Sequence, residues 1–559
     1  IAADTAGKVV LTAAKLATSD LGTVHDTGGE FELLNTTLDN NAATLTVGAG
    51  QAIDNLSVVN TTIKGGSIWD HSTAISYTGA TLDGVAMHGD IAIDIFQSLT
   101  VLANSSLSSI DGISPQSISL AAGSLTFKGG ATLDNANIAI GTGTIGLDFF
   151  DFGKTLTFDQ NVNVTATGNG ATIGVGSQGC TFVNHGTIQD SVAGSRLTIS
   201  DGTFQNHGEV AASNGGVVRI AADKLDNHGE LWADLGGSVM VGDNSLYNPN
   251  LEMQIVSLGD VLLTRGGELD LYTKVTTQQL SKVDGADGKM LVSGFGLIDN
   301  TGDFLFAGPN GHLGQITLDS GGAIVRGAVI DDGGIVYRQG VLDGVGLAGT
   351  IALTGTNDLL YVRNGLTMSG LDLSGAGHIE LTGAKAQIEF NDNTYLDSAI
   401  FEVGAAGSNN VIRVTSHSTP SVQLDIGKNS TLHEIGSGNV TVQIETLTTN
   451  GPLSSFRNDG SILADTAGGI VNVDGSSSGI GGAVLNTGDL TAANGGKIAF
   501  HHVLFTNMNQ VRAGAGGQVV FGTGTALTNL TGSTLTGGTW EADAAGVLEM
   551  PVNKSISND

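Results

Sequence analysis

A unit of about 21 residues recurs between residues 180 and 250, and it constrains the fold more than any other feature of this chain. Phe182-Val183-Asn184-His185-Gly186-Thr187-Ile188 is followed by Phe204-Gln205-Asn206-His207-Gly208-Glu209-Val210 and then by Leu225-Asp226-Asn227-His228-Gly229-Glu230-Leu231. A degenerate Tyr247-Asn248-Pro249-Asn250-Leu251 comes next. A glycine motif keeps step with it: Asn214-Gly215-Gly216-Val217-Val218-Arg219-Ile220, then Leu235-Gly236-Gly237-Ser238-Val239-Met240-Val241. The unit returns late in the chain at Phe456-Arg457-Asn458, Leu485-Asn486, Phe505-Thr506-Asn507 and Leu527-Thr528-Asn529, with asparagine spacings of 28, 21 and 22 residues. Asn494-Gly495-Gly496 and Ala515-Gly516-Gly517 repeat the glycine pair.

A longer period lies above this one. Thr81-Leu82-Asp83-Gly84-Val85 recurs 260 residues on as Val341-Leu342-Asp343-Gly344-Val345, and both runs continue into a Gly-x-Ile-Ala pattern. The expected organisation is leading coils over residues 1–57, a first super-repeat over 58–325, a second over 326–534, and the start of a third over 535–559. Both ends fall inside the pattern, so the chain is expected to be a segment of something longer, with Ile1 the start of a processed or excised piece.

Within each unit apolar residues alternate with polar ones, and Val, Ile, Thr and Phe predominate, which is the signature of strands with one buried face. Units of this length are too short for a domain or for a four-stranded propeller blade. The predicted fold is all-β: a right-handed parallel β-helix, or β-solenoid, with coils of about 21 residues and two degenerate super-repeats of 260–280 residues. Successive coils would stack about 4.8 Å apart. Ala212, Ala233, Ala464 and Ala493 are the expected small inward residues. The glycine pairs would supply positive φ at corners. Asparagine tolerates left-handed backbone, and its amide can bond its equivalent one coil away. Asn184, Asn206 and Asn227, with Asn458, Asn486, Asn507 and Asn529 in the second copy, are therefore expected to form a structural ladder inside a turn. The only helical signal is one or two turns over 277–283.

Composition removes several classes of function. A net charge of −32, from 22 basic and 54 acidic residues, repels phosphate backbones and anionic lipid, so no nucleic-acid partner and no membrane insertion of this segment are expected. The 85 glycines occur with only 6 prolines and no Gly-X-Y period, which excludes collagen. The single cysteine, Cys180, cannot form an internal disulfide and reads as a small buried residue.

The motifs that carry chemistry elsewhere are weak here. Gly141 to Gly146, Gly174 to Gly179 and Gly344 to Gly349 match G-x-G-x-x-G, but in a glycine-rich chain and with no helix following. Gly475-Ser476-Ser477-Ser478-Gly479 matches a nucleophile-elbow pattern but reads as a turn. His185, His207 and His228 would stack on successive coils, where two imidazoles could share a metal ion. Their second-copy counterparts, Asp459, Thr487 and Met508, are not equivalent ligands, so a solvated turn is the expected reading. The densest acidic stretches, Asp148 to Lys154 and Asn391-Asp392-Asn393, read as loops, and no catalytic, cofactor or metal residue is assigned. Calcium binding would be weak and irregular, because no standard calcium loop is present. Trp232 should point outward between inward Leu231 and Ala233.

The units at Phe182, Phe204, Leu225 and Phe456, together with the Leu82-Asp83-Gly84-Val85 super-repeat, resemble the repeats of filamentous-haemagglutinin-type exoproteins and autotransporter passengers. These are large β-helical adhesins of bacterial surfaces. The resemblance implies a non-enzymatic structural or adhesive protein, extracellular or at the cell surface of a Gram-negative bacterium. It would act as a stiff rod or filament, as in a biofilm matrix. Its expected partners are copies stacked end to end, neighbouring coils of a longer chain, or a surface glycan or host ligand. The rival expectation is a β-helical carbohydrate-active enzyme, such as a polysaccharide lyase or hydrolase or a tailspike-like depolymerase.

Overall fold

The structure, a computed structural model, describes residues 1–4, 7–174, 179–200, 202–242, 253–309, 311–415, 421–446, 452–475, 480–551 and 557–558. The chain forms two compact units, Ile1–Lys274 with Gln279–Lys289, and Val275–Gln278 with Met290–Asp559. Both are parallel β-solenoids built from the alternation seen in the sequence.

In the first unit each coil lays one short strand on each of three flanks. On one flank Thr181–Asn184, Thr203–Asn206 and Lys224–Asn227 lie in parallel register, so Phe182, Phe204 and Leu225 form one column. On the next, Thr187–Asp190, Glu209–Ser213 and Glu230–Asp234 stack Ile188, Val210 and Leu231. On the third, Arg196–Ser200, Val217–Ala221 and Ser238–Val241 stack Leu197, Val218 and Val239. These inward side chains are fully buried, whereas most of their neighbours along each strand are not. The phenyl rings of Phe158, Phe182 and Phe204 follow one another at centroid distances of 4.9 and 5.2 Å, within the range in which aromatic pairs attract beyond their area burial. Coil length varies without disturbing register. Ile63 pairs with Leu82, 19 residues on, and Leu231 with Val261, 30 residues on.

The second unit repeats the plan. Leu424, Phe456, Val484 and Phe505 form one inward column; Leu432, Ile462, Leu490 and Val511 form a second. Val440, Val471, Ile498 and Val519 make the third. One short antiparallel pair, Leu530–Thr531 with Thr534–Leu535, interrupts the parallel pattern. Helix is confined to Thr277–Leu280 and a 3-10 turn at Thr18–Leu21 among the described residues.

Two local expectations are corrected. Ala212, Ala233 and Ala464 point inward, but Ala493 does not. The residue stacked on Ala464 is Ala492, because the strand Asp489–Ala492 ends there and Ala493 begins the turn. The glycine pairs also divide the work. Only the first glycine has positive φ, as at Gly236 (φ 73°) after Leu235 (φ 48°) and Gly495 (φ 89°) after Asn494 (φ 52°). The second is glycine for lack of space, since a Cβ on Gly237 would lie 2.4 Å from the backbone of Ala212 in the coil below.

Candidate functional site

Six of the seven repeated asparagines sit at the last residue of a strand, side chain inward, just before a corner, and Asn529 lies in the turn after Ala526–Leu527. Each is buried in the interior. None has positive φ, which corrects the expected left-handed turn conformation: the corner bends at the two residues that follow, not at the asparagine itself. Asn184 Nδ2 donates to Asn206 Oδ1 at 2.8 Å, and Asn206 Nδ2 to Asn227 Oδ1 at 2.8 Å. The first ladder then passes to main chain, with Asn227 Nδ2 donating to the Leu258 carbonyl at 2.6 Å. In the second unit Asn458 Nδ2 donates to Asn486 Oδ1 at 2.7 Å and Asn486 Nδ2 to Asn507 Oδ1 at 2.8 Å. Asn529 joins differently, its Oδ1 accepting from the Asn507 backbone N–H at 2.6 Å. The same amides close their own corners: the Gly186 N–H donates to Asn184 Oδ1, and Asn184 Nδ2 to the Gly186 carbonyl. Gly208 and Gly229 have no room for a side chain, since a Cβ on either would lie 2.0 Å from the carbonyl of the glycine one coil below.

Outside this ladder His185, His207 and His228 are exposed and stacked, with centroids 5.1 and 5.5 Å apart and planes within 15°. Parallel rings at that spacing hold their ring nitrogens side by side. His228 pairs with Asp226 at 3.1 Å. Among the described residues no group of three metal-ligating side chains converges.

The acidic loops fasten backbone. Asp148 accepts from the Phe150 N–H at 2.9 Å and Asp151 from the Gly129 N–H at 2.5 Å. Asp392 accepts from the Asn364 N–H of the neighbouring coil at 3.1 Å, and Asn391 donates to Glu389 at 2.8 Å. Phe149, Phe150 and Phe152 in the first of these loops are exposed. Trp232 is half-buried on the outer face, between buried Leu231 and Ala233. Cys180 is buried with its Sγ against the Asp151 carbonyl at 2.6 Å. Of the G-x-G-x-x-G matches, Gly344 to Gly349 lies inside the strand Gln339–Leu353 and Gly141 to Gly146 runs into Thr144–Leu147. Most of Gly174 to Gly179 and of Gly475 to Gly479, and all of Tyr247 to Leu251, lie outside the described residues.

Sequence reasoning missed a corner that the two units share. In the first, Asp70 ends the strand Ser67–Asp70 and is buried. Its carboxylate accepts from the N–H groups of Ser72, Ala74 and Ile75 at 2.9–3.2 Å. In the second, Asp331 ends Ala328–Asp331 and accepts from Gly334 and Ile335 at 2.8 and 3.1 Å, and from the buried hydroxyl of Tyr337 at 3.1 Å. Buried Tyr77 occupies the corresponding place in the first unit. Burial outweighs these hydrogen bonds and lifts the Asp331 carboxyl to about 6, and it raises the Tyr337 phenol with Asp331 beside it. A cavity of about 420 Å³ opens at the first corner, bordered by Asp70, His71, Asp90, Ile110, Asp111 and Pro115. The signal was present as an Asp-to-Asp offset of 261 residues, one residue from the super-repeat period.

No family model and no curated protein matches the chain. Among solved structures, a crystal structure of a TibC-catalysed hyper-glycosylated TibA fragment is similar at 13% identity, covering 76% of this chain and 99% of that one, with a TM-score of 0.20. Neither fold nor role transfers at that level of likeness.

Proposed function

We propose that this chain is a structural and adhesive β-solenoid that works outside the cell, at a bacterial surface, as a stiff spacer whose corners present loops to partners. The observation that supports it most is that the register of apolar columns and buried amides runs from coil to coil within each unit although coil length varies. Such a ladder resists bending, because every coil is hydrogen-bonded along its length to the next. Display at a Gram-negative surface, stacking with further coils or copies, a glycan or host ligand, and weak irregular calcium binding complete the reading. High negative charge keeps such a particle soluble.

Two measurements test it. Purified chain coated on beads should retain cells or glycans that uncoated beads do not, and electron microscopy should show elongated particles. Release of reducing ends from a polysaccharide panel would favour the rival, a β-helical lyase or hydrolase.

A further inference from the structure

The duplicated corner carries more than its scaffold. Residues 261 apart correspond at the corner and in the loop beyond it, Asp70 with Asp331, Ile110 with Leu371 and Asp111 with Asp372, and residues 260 apart correspond over the stretch between. The geometry corresponds as well. Gly89 (φ 126°) and Gly349 (φ 122°) each leave no room for a Cβ against the carbonyl of the corner aspartate. Asn104 donates to Asp83 at 3.1 Å in the first unit, as Asn364 does to Asp343 at 2.6 Å in the second. Beyond the corner runs a seven-residue loop in each unit, 109–115 and 370–376, held by its aspartate. Asp111 accepts from Ile113 N–H, Ser114 N–H and Ser114 Oγ, and Asp372 from Ser374 N–H.

Both loops expose large apolar side chains that the fold does not use. Ile113 is 82% exposed and Leu373, one aligned position away, 62%; Ile110 and Leu371 beside them are 36% and 47% exposed. Exposed apolar residues singly need no explanation, but a pair retained in both copies on a fastened loop does. The exposed pair Ile95 and Phe96 lacks this property, since it corresponds to Gly355 and Thr356. Around the tips lie the carboxylates of Asp90 and Asp111, with the imidazole of His71, in one unit, and Asp372, with Asp332 at the position of His71, in the other. No Lys or Arg occurs in residues 71–74, 89–90, 109–115, 332–334 or 369–376. Serine hydrogen bonds hold the carboxyls of Asp111 and Asp372 below the usual range, so both remain ionised.

We infer that the loops at Ile110/Ile113 and Leu371/Leu373 are two equivalent docking points for a cationic amphipathic protein segment, whose apolar side chains meet the tips while its Lys or Arg face the surrounding aspartates. Charge complementarity selects this occupant. A second copy of a chain of net charge −32 would bring like charges together around the same tips. The inference does not depend on where the protein is displayed.

The test uses the whole chain and a fluorescently labelled peptide of alternating Leu and Lys, with a Leu-Glu peptide as its counterpart, at about 0.15 M salt. The Leu-Lys peptide should bind and the Leu-Glu peptide should not. The combined variant Ile110→Ser, Ile113→Ser, Leu371→Ser and Leu373→Ser keeps the net charge and should weaken binding about tenfold. Phe149→Ser with Phe150→Ser should leave binding unchanged. Unaltered circular dichroism of the variants confirms that exposed loops alone were changed. Equal binding by wild type and tip variant would reduce the effect to bulk charge attraction and overturn the inference, as would no binding. Tip-dependent self-association in sedimentation would also overturn it, by assigning the tips to a second copy.

Discussion

Asn184 and Asn206, 22 residues apart in sequence, share a buried hydrogen bond of 2.8 Å between their side-chain amides. The bond does two things at once, closing a corner within one coil and fixing that coil's register on the next. Register matters because a slip of one residue would send every inward side chain to solvent. An apolar residue in the middle of such a chain would strand the donor of Asn184 on one side and the acceptor of Asn227 on the other.

Asn206→Leu should therefore destabilise the first unit by roughly 2–4 kcal/mol, since each buried group left without a partner costs about 1–3 kcal/mol. Asn529→Leu should cost less, because Asn529 lies at the end of its ladder and bonds main chain. Hydrogen exchange will separate the two. Amides in Thr203–Asn206 and its neighbouring coils should lose protection in the first variant, while the equivalent coils of the second unit do not.

Buried carboxyls set a pH dependence of unusual sign. Asp331, lifted to about 6, and Glu434, lifted to about 7, owe their shifts first to burial. A carboxyl whose folded value lies above its unfolded one contributes stability that is complete at low pH and lost as pH rises through the folded value. The second unit should thus be more stable near pH 5 than near pH 8, with Asp331 contributing on the order of 1 kcal/mol. Asp331→Asn keeps the acceptor for Gly334 and Ile335 and cannot ionise, so it should reduce that difference by about 1 kcal/mol in paired denaturation curves at the two pH values, leaving the Glu434 share. Below about pH 4 the trend should reverse, as carboxylates held low by partners protonate, Asp372 beside Ser374 and Asp459 beside Arg457 among them.

Much of the fold was readable because period-two alternation and a repeat of about 21 residues both survive in the sequence around Asn184, Asn206 and Asn227. What the repeat does not carry is backbone conformation. Asparagine's tolerance of positive φ suggested a turn residue, yet here its buried amide mattered and φ stayed ordinary, while Asn214 and Asn494 at the glycine pairs took the left-handed conformation. Ala492 and Ala493 are the same residue type, so composition could not say which one ends the strand. The Asp70 and Asp331 corners were hidden for a different reason. An aspartate at a strand end reads as an exposed turn residue, and only the three-dimensional corner shows it accepting buried N–H groups.

Cys180 gives a probe that needs no substitution. Its Sγ is enclosed at the foot of the loop that carries Asp151, so a thiol reagent should modify the folded protein slowly and the unfolded protein at once. The rate should follow opening of that loop. Rapid labelling in native buffer, without loss of circular dichroism, would contradict the enclosed position.

The glycine pairs permit the sharpest comparison, because adjacent residues of one type are required for unrelated reasons. Gly236 has φ 73° with nothing within 4 Å of a Cβ placed on it. Alanine there meets only the left-handed backbone penalty, about 1 kcal/mol. Gly237 has no positive φ, but a Cβ on it would lie 2.4 Å from the carbonyl carbon and oxygen of Ala212. Relief requires the coils to separate, which breaks the hydrogen bond from the Ser238 N–H to the Gly216 carbonyl at 3.0 Å and unseats Val239 from Val218. Gly237→Ala should therefore cost several kcal/mol, beyond the usual range for a single substitution at a corner. Gly236→Asn should be nearly neutral, since asparagine adopts positive φ readily. Chemical denaturation of the three variants should rank them Gly236→Asn, Gly236→Ala, Gly237→Ala in order of increasing loss. If Gly237→Ala proved as mild as Gly236→Ala, the close stacking of one coil on the next at this corner would be wrong.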